Sequence, residues 1–224
     1  MSSDEAIARS ELRQPKDHAG PAKQALYLLL KRWIDVLAAI ALGVFFLPLL
    51  VLLAMLVRLD GGPAFFCQQR LGQDGKVFCF WKLRTMTQDA DRRLEQLLRD
   101  DPRAKDEWDR TQKLRQDPRV TLFGRFLRKY SFDELPQLWN VLRGDMSMIG
   151  PRPMFVTQRD LYPGIPYAGL RPGITGLWQV TDRNASTFAD RAQYDQVYAQ
   201  QLSLRMDLWI ATRTFRAVFI GTGC

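Results

Sequence analysis

Two adjacent carboxylates, Asp133 and Glu134, stand where the sequence predicts the start of a helix. The first turn of a helix is open and its free N–H groups attract anions, so both side chains could face one ligand there. One carboxylate could then attack phosphorus while the other helps to hold a divalent ion such as Mg²⁺. The pair therefore predicts phosphate chemistry, with Asp133 and Glu134 as catalytic and metal-binding candidates.

The same residues also fit a structural role. Ser131-x-x-Glu134 has the pattern of a capping box, in which Ser131 caps the helix and Glu134 bonds back to the cap. Acidic residues in a first turn also stabilise the helix dipole. The pair alone favours this interpretation, and whether Glu134 serves the cap, the metal or each in turn is left open.

Several cationic residues could accompany the pair at a phosphate site. Arg152 is enclosed by two prolines that restrict its backbone, and Arg171 precedes a Pro-Gly turn. Lys82 and Arg84 are two positions apart in a predicted strand, so they should share one of its faces. Around the two carboxylates, these cations suit a diphosphate bridged by a divalent ion.

An apolar segment without charged residues runs from Val36 to Val57. As a helix it would extend for about 30 Å, which is enough to cross the core of a bilayer. Pro48 near its middle favours a kink, and basic residues flank both ends, so the positive-inside signal is nearly symmetric. The residues leave two topologies open: a re-entrant helix at 26–59, broken at Pro48 with both ends on the cytoplasmic face, and a kinked spanning helix.

The composition favours anionic partners without choosing among them. The chain has 224 residues, 46% of them hydrophobic, and a net charge of +8. Its three cysteines form no CxxC pair, so we expect no disulfide framework or structural zinc, and a reducing compartment. The single histidine, His18, has no metal-binding neighbours, so acid–base or metal chemistry must rest on carboxylates.

The expected fold class is mostly α with a small β-hairpin. The sequence predicts a polar tail at residues 1–25 and a catalytic domain at residues 60–224. Within this domain it predicts a charged helical insertion at residues 88–113. Short strands at 64–69 and 77–83 flank a turn and predict the hairpin. A further helix is predicted at 188–201.

Two segments have the pattern of basic amphipathic helices that lie flat on anionic lipid. One is centred on Phe126 and contains Arg125 and Arg128, and the other follows Leu208 and contains Arg213. A stripe that faces the core, with solvated arginines, fits each helix taken alone at least as well.

Beyond the tail, the sequence resembles the monotopic phosphoglycosyl transferases, bacterial sugar transferases that load a sugar 1-phosphate onto polyprenol phosphate. The matching motifs are Lys31-Arg32-x-x-Asp35, Pro48, Phe80-Trp81-Lys82-Leu83-Arg84-Thr85-Met86, Asp117-Pro118-Arg119, Asp133-Glu134-Leu135-Pro136-Gln137, Gly150-Pro151-Arg152-Pro153, Arg171-Pro172-Gly173-Ile174-Thr175-Gly176 and Gln179-Val180-x-x-Arg183-Asn184.

The resemblance implies a re-entrant helix broken at Pro48 and a two-step reaction. Asp133 would attack the β-phosphate of a UDP-sugar and release UMP, and polyprenyl (undecaprenyl) phosphate would then attack the phosphosugar-enzyme. It implies that Glu134 binds Mg²⁺ and that Arg84 and Arg152 contact phosphate. With the matched positions added, the predicted phosphate- or nucleotide-binding residues are Lys82, Arg84, Arg152, Arg171 and Arg183.

The resemblance further implies the inner bacterial membrane, with the catalytic domain on its cytoplasmic face. The expected partners are a UDP-sugar, polyprenyl phosphate and membrane lipid, without nucleic acid, and a homodimer is left open. The connector at 162–164 and the C-terminal residues 221–223 look like those of rhizobial-type initiators of exopolysaccharide synthesis, which use UDP-galactose. UDP-glucose is the other donor considered.

Two alternatives remain at the level of the sequence. A non-catalytic, membrane-anchored basic adaptor would use the positive charge to bind lipid or nucleic acid, although no groove-reading motif is present. A polytopic transferase would act by direct attack without a covalent intermediate, and a single apolar segment argues against it.

Overall fold

The computed structural model describes residues 21–59, 61–111, 114, 117–163, 169–181 and 190–220. The helices of this part are α1 (Pro21–Arg58), α2 (Ala90–Asp100), α3 (Pro102–Thr111), α4 (Leu122–Lys129), α5 (Gln137–Arg143), α6 (Leu177–Thr181), α7 (Arg191–Gln200) and α8 (Leu204–Ile220). The strands are β1 (Phe65–Leu71) antiparallel to β2 (Val77–Leu83), and β3 (Ser147–Ile149) parallel to β4 (Gly173–Thr175). A mostly helical fold with a small β-hairpin is confirmed, whereas the second sheet was not predicted.

Helix α1 is longer than the sequence predicted. It begins at Pro21, inside the segment expected to be a tail, because proline suits a first helical position. It ends at Arg58, one residue before the predicted end at position 59. The helix continues through Pro48, so the structure does not confirm a break there. The re-entrant topology stays a prediction.

One face of α1 packs against the rest of the protein at the middle of the helix and near its C-terminal end. Ala39 belongs to a buried cluster with Val141 of α5, and Leu53 and Val57 belong to another with Leu83 of β2. The other faces are exposed and apolar, and the stretch Gln24–Arg58 is long and apolar enough to cross a membrane. The exposed large side chains include Leu29, Trp33, Leu37, Val44, Phe45, Leu47, Val51, Leu52, Met55 and Leu56.

Buried polar contacts fasten the first half of α1 to the domain. The Lys31 ammonium lies 2.7 Å from a carboxylate oxygen of Asp207 in α8. Asp35 accepts hydrogen bonds from the Ser147 hydroxyl at 2.7 Å and from the backbone N–H of Met148 at 3.1 Å. These groups lie in the protein interior, so their pairing keeps the burial of charge tolerable.

The hairpin of β1 and β2 forms around a turn at Gln73–Gly75, as predicted. Its register places Cys67 opposite Trp81 and Cys79 opposite Gln69, so the two cysteines are diagonal neighbours with Cα atoms 5.5 Å apart. The structure joins them by a disulfide, which the sequence analysis did not predict when it expected no disulfide framework. The strand register, which the cysteine spacing does not reveal, brings the two cysteines together.

The charged insertion forms the helical pair α2 and α3, and α2 buries none of its residues, as expected for a solvated segment. The helix predicted at 188–201 appears as α7, with residues 188–189 outside the described part.

The sheet of β3 and β4 holds the loop that carries Arg152. Pro151 accepts a hydrogen bond from the Gly173 N–H at 2.8 Å, and Gly150 donates to the Thr175 carbonyl at 2.9 Å. A Cβ atom on Gly173 would collide with the backbone of Gly150, so this close approach requires glycine.

Candidate active site

The carboxylate pair lies on a short 3₁₀ turn, Phe132–Glu134, between α4 and α5. The prediction that Ser131 caps α5 is wrong. Ser131 has a left-handed backbone (φ 58°), its side chain makes no capping bond, and its N–H donates to the Arg128 carbonyl at 3.1 Å. Such a left-handed residue closes the preceding helix, so Ser131 terminates α4 instead. Glu134 is therefore not part of a capping box with Ser131.

Lys82 of β2 contacts both carboxylates. Its ammonium lies 3.1 Å from Asp133 Oδ2 and 2.9 Å from Glu134 Oε1. Arg152 Nη2 lies 3.4 Å from the same oxygen of Glu134. Asp133 is buried, at 5% exposure, whereas the side chains of Lys82 and Arg152 remain 20% and 25% exposed. The structure thus brings two of the predicted cations to the pair and leaves their charges accessible to a ligand.

The other predicted cations are placed differently. Arg84 follows the end of β2 and donates to the Val57 carbonyl at the end of α1, at 3.1 Å. Arg171 donates to the carbonyl of Gly144, just beyond α5, at 2.9 Å. Arg183 lies outside the described residues. The roles assigned to these three arginines stay predictions.

Arg128 lies near the carboxylate pair, although the sequence analysis expected a solvated or lipid-facing arginine beside the apolar stripe of its helix. It is instead largely withdrawn from solvent, and its Nε donates to the Thr85 hydroxyl at 2.9 Å. Burial lowers the pKa of Arg128, while the negative charges of Asp133 and Asp117 raise it. The sequence places Arg128 in the last turn of α4, five residues before Asp133, and this proximity could have identified it as a neighbour of the carboxylate.

Burial raises the pKa of Asp133 above its ordinary value, and the charge of Glu134 raises it further. The charges of Lys82 and Arg128 act in the opposite direction. A carboxylate that is poorly hydrated yet flanked by cations is suited to act as a nucleophile towards an anionic substrate.

Asn140 of α5 aligns the pair with β2. Its side chain is fully buried, donates to the Cys79 carbonyl at 2.7 Å and accepts from the Trp81 N–H at 3.1 Å. Because Trp81 precedes Lys82, these two bonds fix the strand that carries the lysine against the helix that follows Asp133. The sequence analysis did not identify this residue.

The two carboxylates suit a magnesium ion, although the described residues contain no group of three or more His, Cys, Asp or Glu side chains for a metal. Mg²⁺ is commonly held by one or two carboxylates together with substrate phosphates and water. The Lys82 ammonium lies within hydrogen-bond distance of both carboxylates, which shows that the pair attracts a cation. Asp133 and Glu134 therefore fit the metal that the resemblance implies.

Comparison with known proteins decides the family. Residues 26–221 match the family described as bacterial sugar transferase. The chain belongs to this family. The exopolysaccharide production protein ExoY of Rhizobium meliloti (strain 1021) is 45% identical over 196 residues, which cover 86% of this chain and 87% of the relative.

Two further relatives carry names of undecaprenyl-phosphate sugar transferases. The undecaprenyl-phosphate galactose phosphotransferase of Salmonella typhimurium is 42% identical over 84% of this chain, which corresponds to 40% of that larger protein. The UDP-glucose:undecaprenyl-phosphate glucose-1-phosphate transferase of Caulobacter vibrioides is 42% identical over 91% of this chain and 84% of its own length. The family predicted from the motifs is confirmed, and this bacterial sugar transferase is an enzyme of the phosphoglycosyl transferase class.

Proposed function

We propose that the enzyme transfers a hexose 1-phosphate from a UDP-sugar to undecaprenyl phosphate, releases UMP, and so begins the synthesis of an exopolysaccharide or another glycoconjugate. The observation that carries this proposal is the buried Asp133, whose negative charge is offset by Lys82 and Arg128. The names of the relatives support galactose or glucose as the sugar.

In the first step, a carboxylate oxygen of Asp133 attacks the β-phosphorus of the UDP-sugar. The new O–P bond forms as the bond from that phosphorus to the bridging oxygen breaks, and UMP leaves with the electron pair. No proton has to move, because the nucleophile is already an anion. Lys82 and Arg152 offset the repulsion between the carboxylate and the diphosphate, which otherwise opposes the attack.

In the second step, a phosphate oxygen of the acceptor lipid attacks the phosphorus that Asp133 carries. The bond between phosphorus and Asp133 breaks, so the carboxylate is restored and the product is a polyprenyl diphosphate-sugar. Asp133 and Glu134 would hold Mg²⁺, which when bound would neutralise part of the diphosphate charge.

The contacts of α1 support a monotopic arrangement, with the catalytic domain on the cytoplasmic face of the inner membrane. Asp35 bonds to Ser147, and Val57 packs in one cluster with Leu83. Positions 35 and 57 are about 33 Å apart along a straight helix, which is close to the thickness of a bilayer core. A spanning helix would put these two contacts on opposite faces of the membrane.

The topology can be tested with single cysteines at Glu5 and Arg103, in a variant that lacks the native cysteines. Labelling of both from the cytoplasmic side supports the monotopic arrangement. Labelling from opposite sides would refute it.

The function itself is tested by UMP release from UDP-galactose and UDP-glucose in membranes that contain Mg²⁺ and undecaprenyl phosphate. We expect release by the wild type, loss to background in Asp133→Asn, and normal release in Asp91→Asn, which changes an exposed acid of α2. Wild-type release by Asp133→Asn would exclude Asp133 as the nucleophile. No release from any UDP-sugar by the wild type would refute the function and favour a basic adaptor.

A further inference from the structure

Four aromatic rings form a continuous cluster directly before the nucleophile. We call it the aromatic row, and it consists of Phe123, Phe126, Tyr130 and Phe132. Neighbouring ring centroids lie 6.0 Å apart for Phe123 and Phe126, 5.2 Å for Phe126 and Tyr130, and 6.0 Å for Tyr130 and Phe132. Phe126 is 44% exposed, so the row offers apolar surface to a ligand.

The aromatic row connects the apolar surface of α1 with the reacting group. Phe123 and Phe132 pack against the cluster that contains Leu53 and Val57 of α1. On its other faces, this part of α1 exposes large apolar side chains, namely Val51, Leu52, Met55 and Leu56. Phe132, whose ring also lies 6.1 Å from that of Phe126, immediately precedes the buried Asp133, so it contacts the α1 cluster and adjoins the nucleophile.

Positive charge is concentrated where the row meets the site. Arg128 lies close enough to Asp133 to shift its pKa, and the Lys129 ammonium lies 5.4 Å from the ring of Tyr130. An apolar row that ends in cations and a nucleophile matches an amphiphile with a long hydrocarbon chain and one terminal phosphate.

We propose that the aromatic row binds the isoprenyl chain of the acceptor lipid and guides its phosphate, past Arg128, to the phosphorus on Asp133. The inference rests on the proposed function and assigns the acceptor a site of its own. Isoprenyl chains are the occupant that the geometry favours over bulk lipid, because the row leads to the one group that the acceptor phosphate must reach.

The two steps of the reaction allow the acceptor site to be tested separately from the donor site. Exchange of labelled UMP into the UDP-sugar reports the first step and needs no acceptor, whereas formation of the lipid product reports both steps. The readout is the ratio of lipid-product formation to exchange at low undecaprenyl phosphate concentration. This ratio is independent of how much of a variant is folded.

The test variants are Phe126→Ala and Tyr130→Ala, and the matched control is Phe215→Ala, which removes a ring that is 67% exposed on α8. We expect the ratio to fall about tenfold in the first two, which corresponds to about 1.4 kcal/mol of lost binding free energy, and to stay at the wild-type value in the control. With a phosphate ester of a two-isoprene alcohol, the difference between wild type and Phe126→Ala should shrink, because little chain is left to contact the row.

Three outcomes would contradict the proposal. A wild-type ratio in both row variants would show that the rings serve packing alone. An equal fall in Phe215→Ala would assign the effect to contact with bulk lipid. A full effect with the short-chain ester would show that the rings do not bind the chain. Absence of exchange in the wild type, in contrast, would refute the proposed function itself.

Discussion

The ammonium of Lys82 lies 3.1 Å from the Oδ2 atom of Asp133, and this contact joins strand β2 to the turn before α5. It gives the buried carboxylate a positive neighbour on an element that is distant in the sequence. Burial is the largest cause that raises the pKa of Asp133, and the charge of Lys82 opposes it. The pH at which the site works therefore depends on this neighbour.

The pH profile of UMP exchange should respond in opposite directions to two substitutions. The nucleophile must be ionised, so the rate rises with pH through the raised pKa of Asp133. The charge of Lys82 lowers that pKa, whereas the charge of Glu134 raises it. Lys82→Met should therefore move the acid limb to higher pH, and Glu134→Gln should move it to lower pH.

The position of the acid limb is the measured quantity, because both variants also lose rate. Lys82→Arg, which keeps the charge, is the control and should leave the limb closer to that of the wild type. Shifts of both variants in the same direction would show that another group controls the profile.

Replacement of Asn140 should loosen the contact between α5 and β2. Asn140→Leu leaves the Cys79 carbonyl and the Trp81 N–H without their partner, and each unsatisfied buried group costs about 1–3 kcal/mol. We expect the free energy of unfolding to fall by about 2–4 kcal/mol in detergent. Trp139→Leu, at an exposed neighbouring position, should stay within about 0.5 kcal/mol of the wild type. Similar stabilities of the two variants would contradict the role given to Asn140.

The ion pair of Lys31 and Asp207 should hold α1 against α8. Both side chains are largely buried, at 10% and 9% exposure, so removal of one partner leaves an uncompensated charge. Asp207→Leu should cost about 3–5 kcal/mol. The double variant Lys31→Met/Asp207→Leu should lose less than the sum of the two single variants. Additive losses in thermal unfolding would show that the pair is not coupled.

The side-chain amide of Gln137 should lower the free energy of unfolding, and we expect it to assist the reaction. It is 1% exposed, and within the described part of the chain its Nε2 has no hydrogen-bond partner. The backbone between it and the 3₁₀ turn is helical at Leu135 and Pro136, so Gln137 lies one turn beyond Asp133 on the same face.

A buried donor without a partner costs free energy, so Gln137→Met should raise the free energy of unfolding by about 1 kcal/mol. If this donor is kept for an oxygen of the ligand, Gln137→Met should also slow UMP exchange. Lower stability together with unchanged exchange would contradict this interpretation.

Features encoded within one short segment were predicted from the sequence. The hairpin depends on the turn at Gln73–Gly75 and on the alternation that follows it, and only the bounds of β1 differed, since the strand runs from Phe65 to Leu71 and not over 64–69. The apolar segment likewise identified α1, although the pattern could not locate the helix start at Pro21.

The prediction for Ser131 was wrong because the same pattern can end one helix or begin the next. A serine three residues before a glutamate suits a cap, but the left-handed backbone of Ser131 closes α4. The choice between these conformations depends on how α4 packs, which a local pattern does not contain.

The position of each cationic side chain depends on bonding partners that are distant in the sequence. Arg84 lies beyond the end of β2, where the alternation of a strand no longer applies, and it bonds to Val57. Arg128 turns inward because Thr85, 43 positions away, accepts its hydrogen bond. Strands β3 and β4 have three residues each, too few for a recognisable period.

The central claim is that Asp133 carries the sugar phosphate between the two steps, and the most direct measurement is to trap that intermediate. The wild type is mixed with a UDP-sugar labelled in the β-phosphate and Mg²⁺, without acceptor lipid, then quenched and digested for mass spectrometry. The account predicts the label as an acyl phosphate on Asp133, lost when undecaprenyl phosphate is added before the quench and absent in Asp133→Asn. Label on Glu134 or another residue, or lipid product formed at full rate by Asp133→Asn, would contradict it.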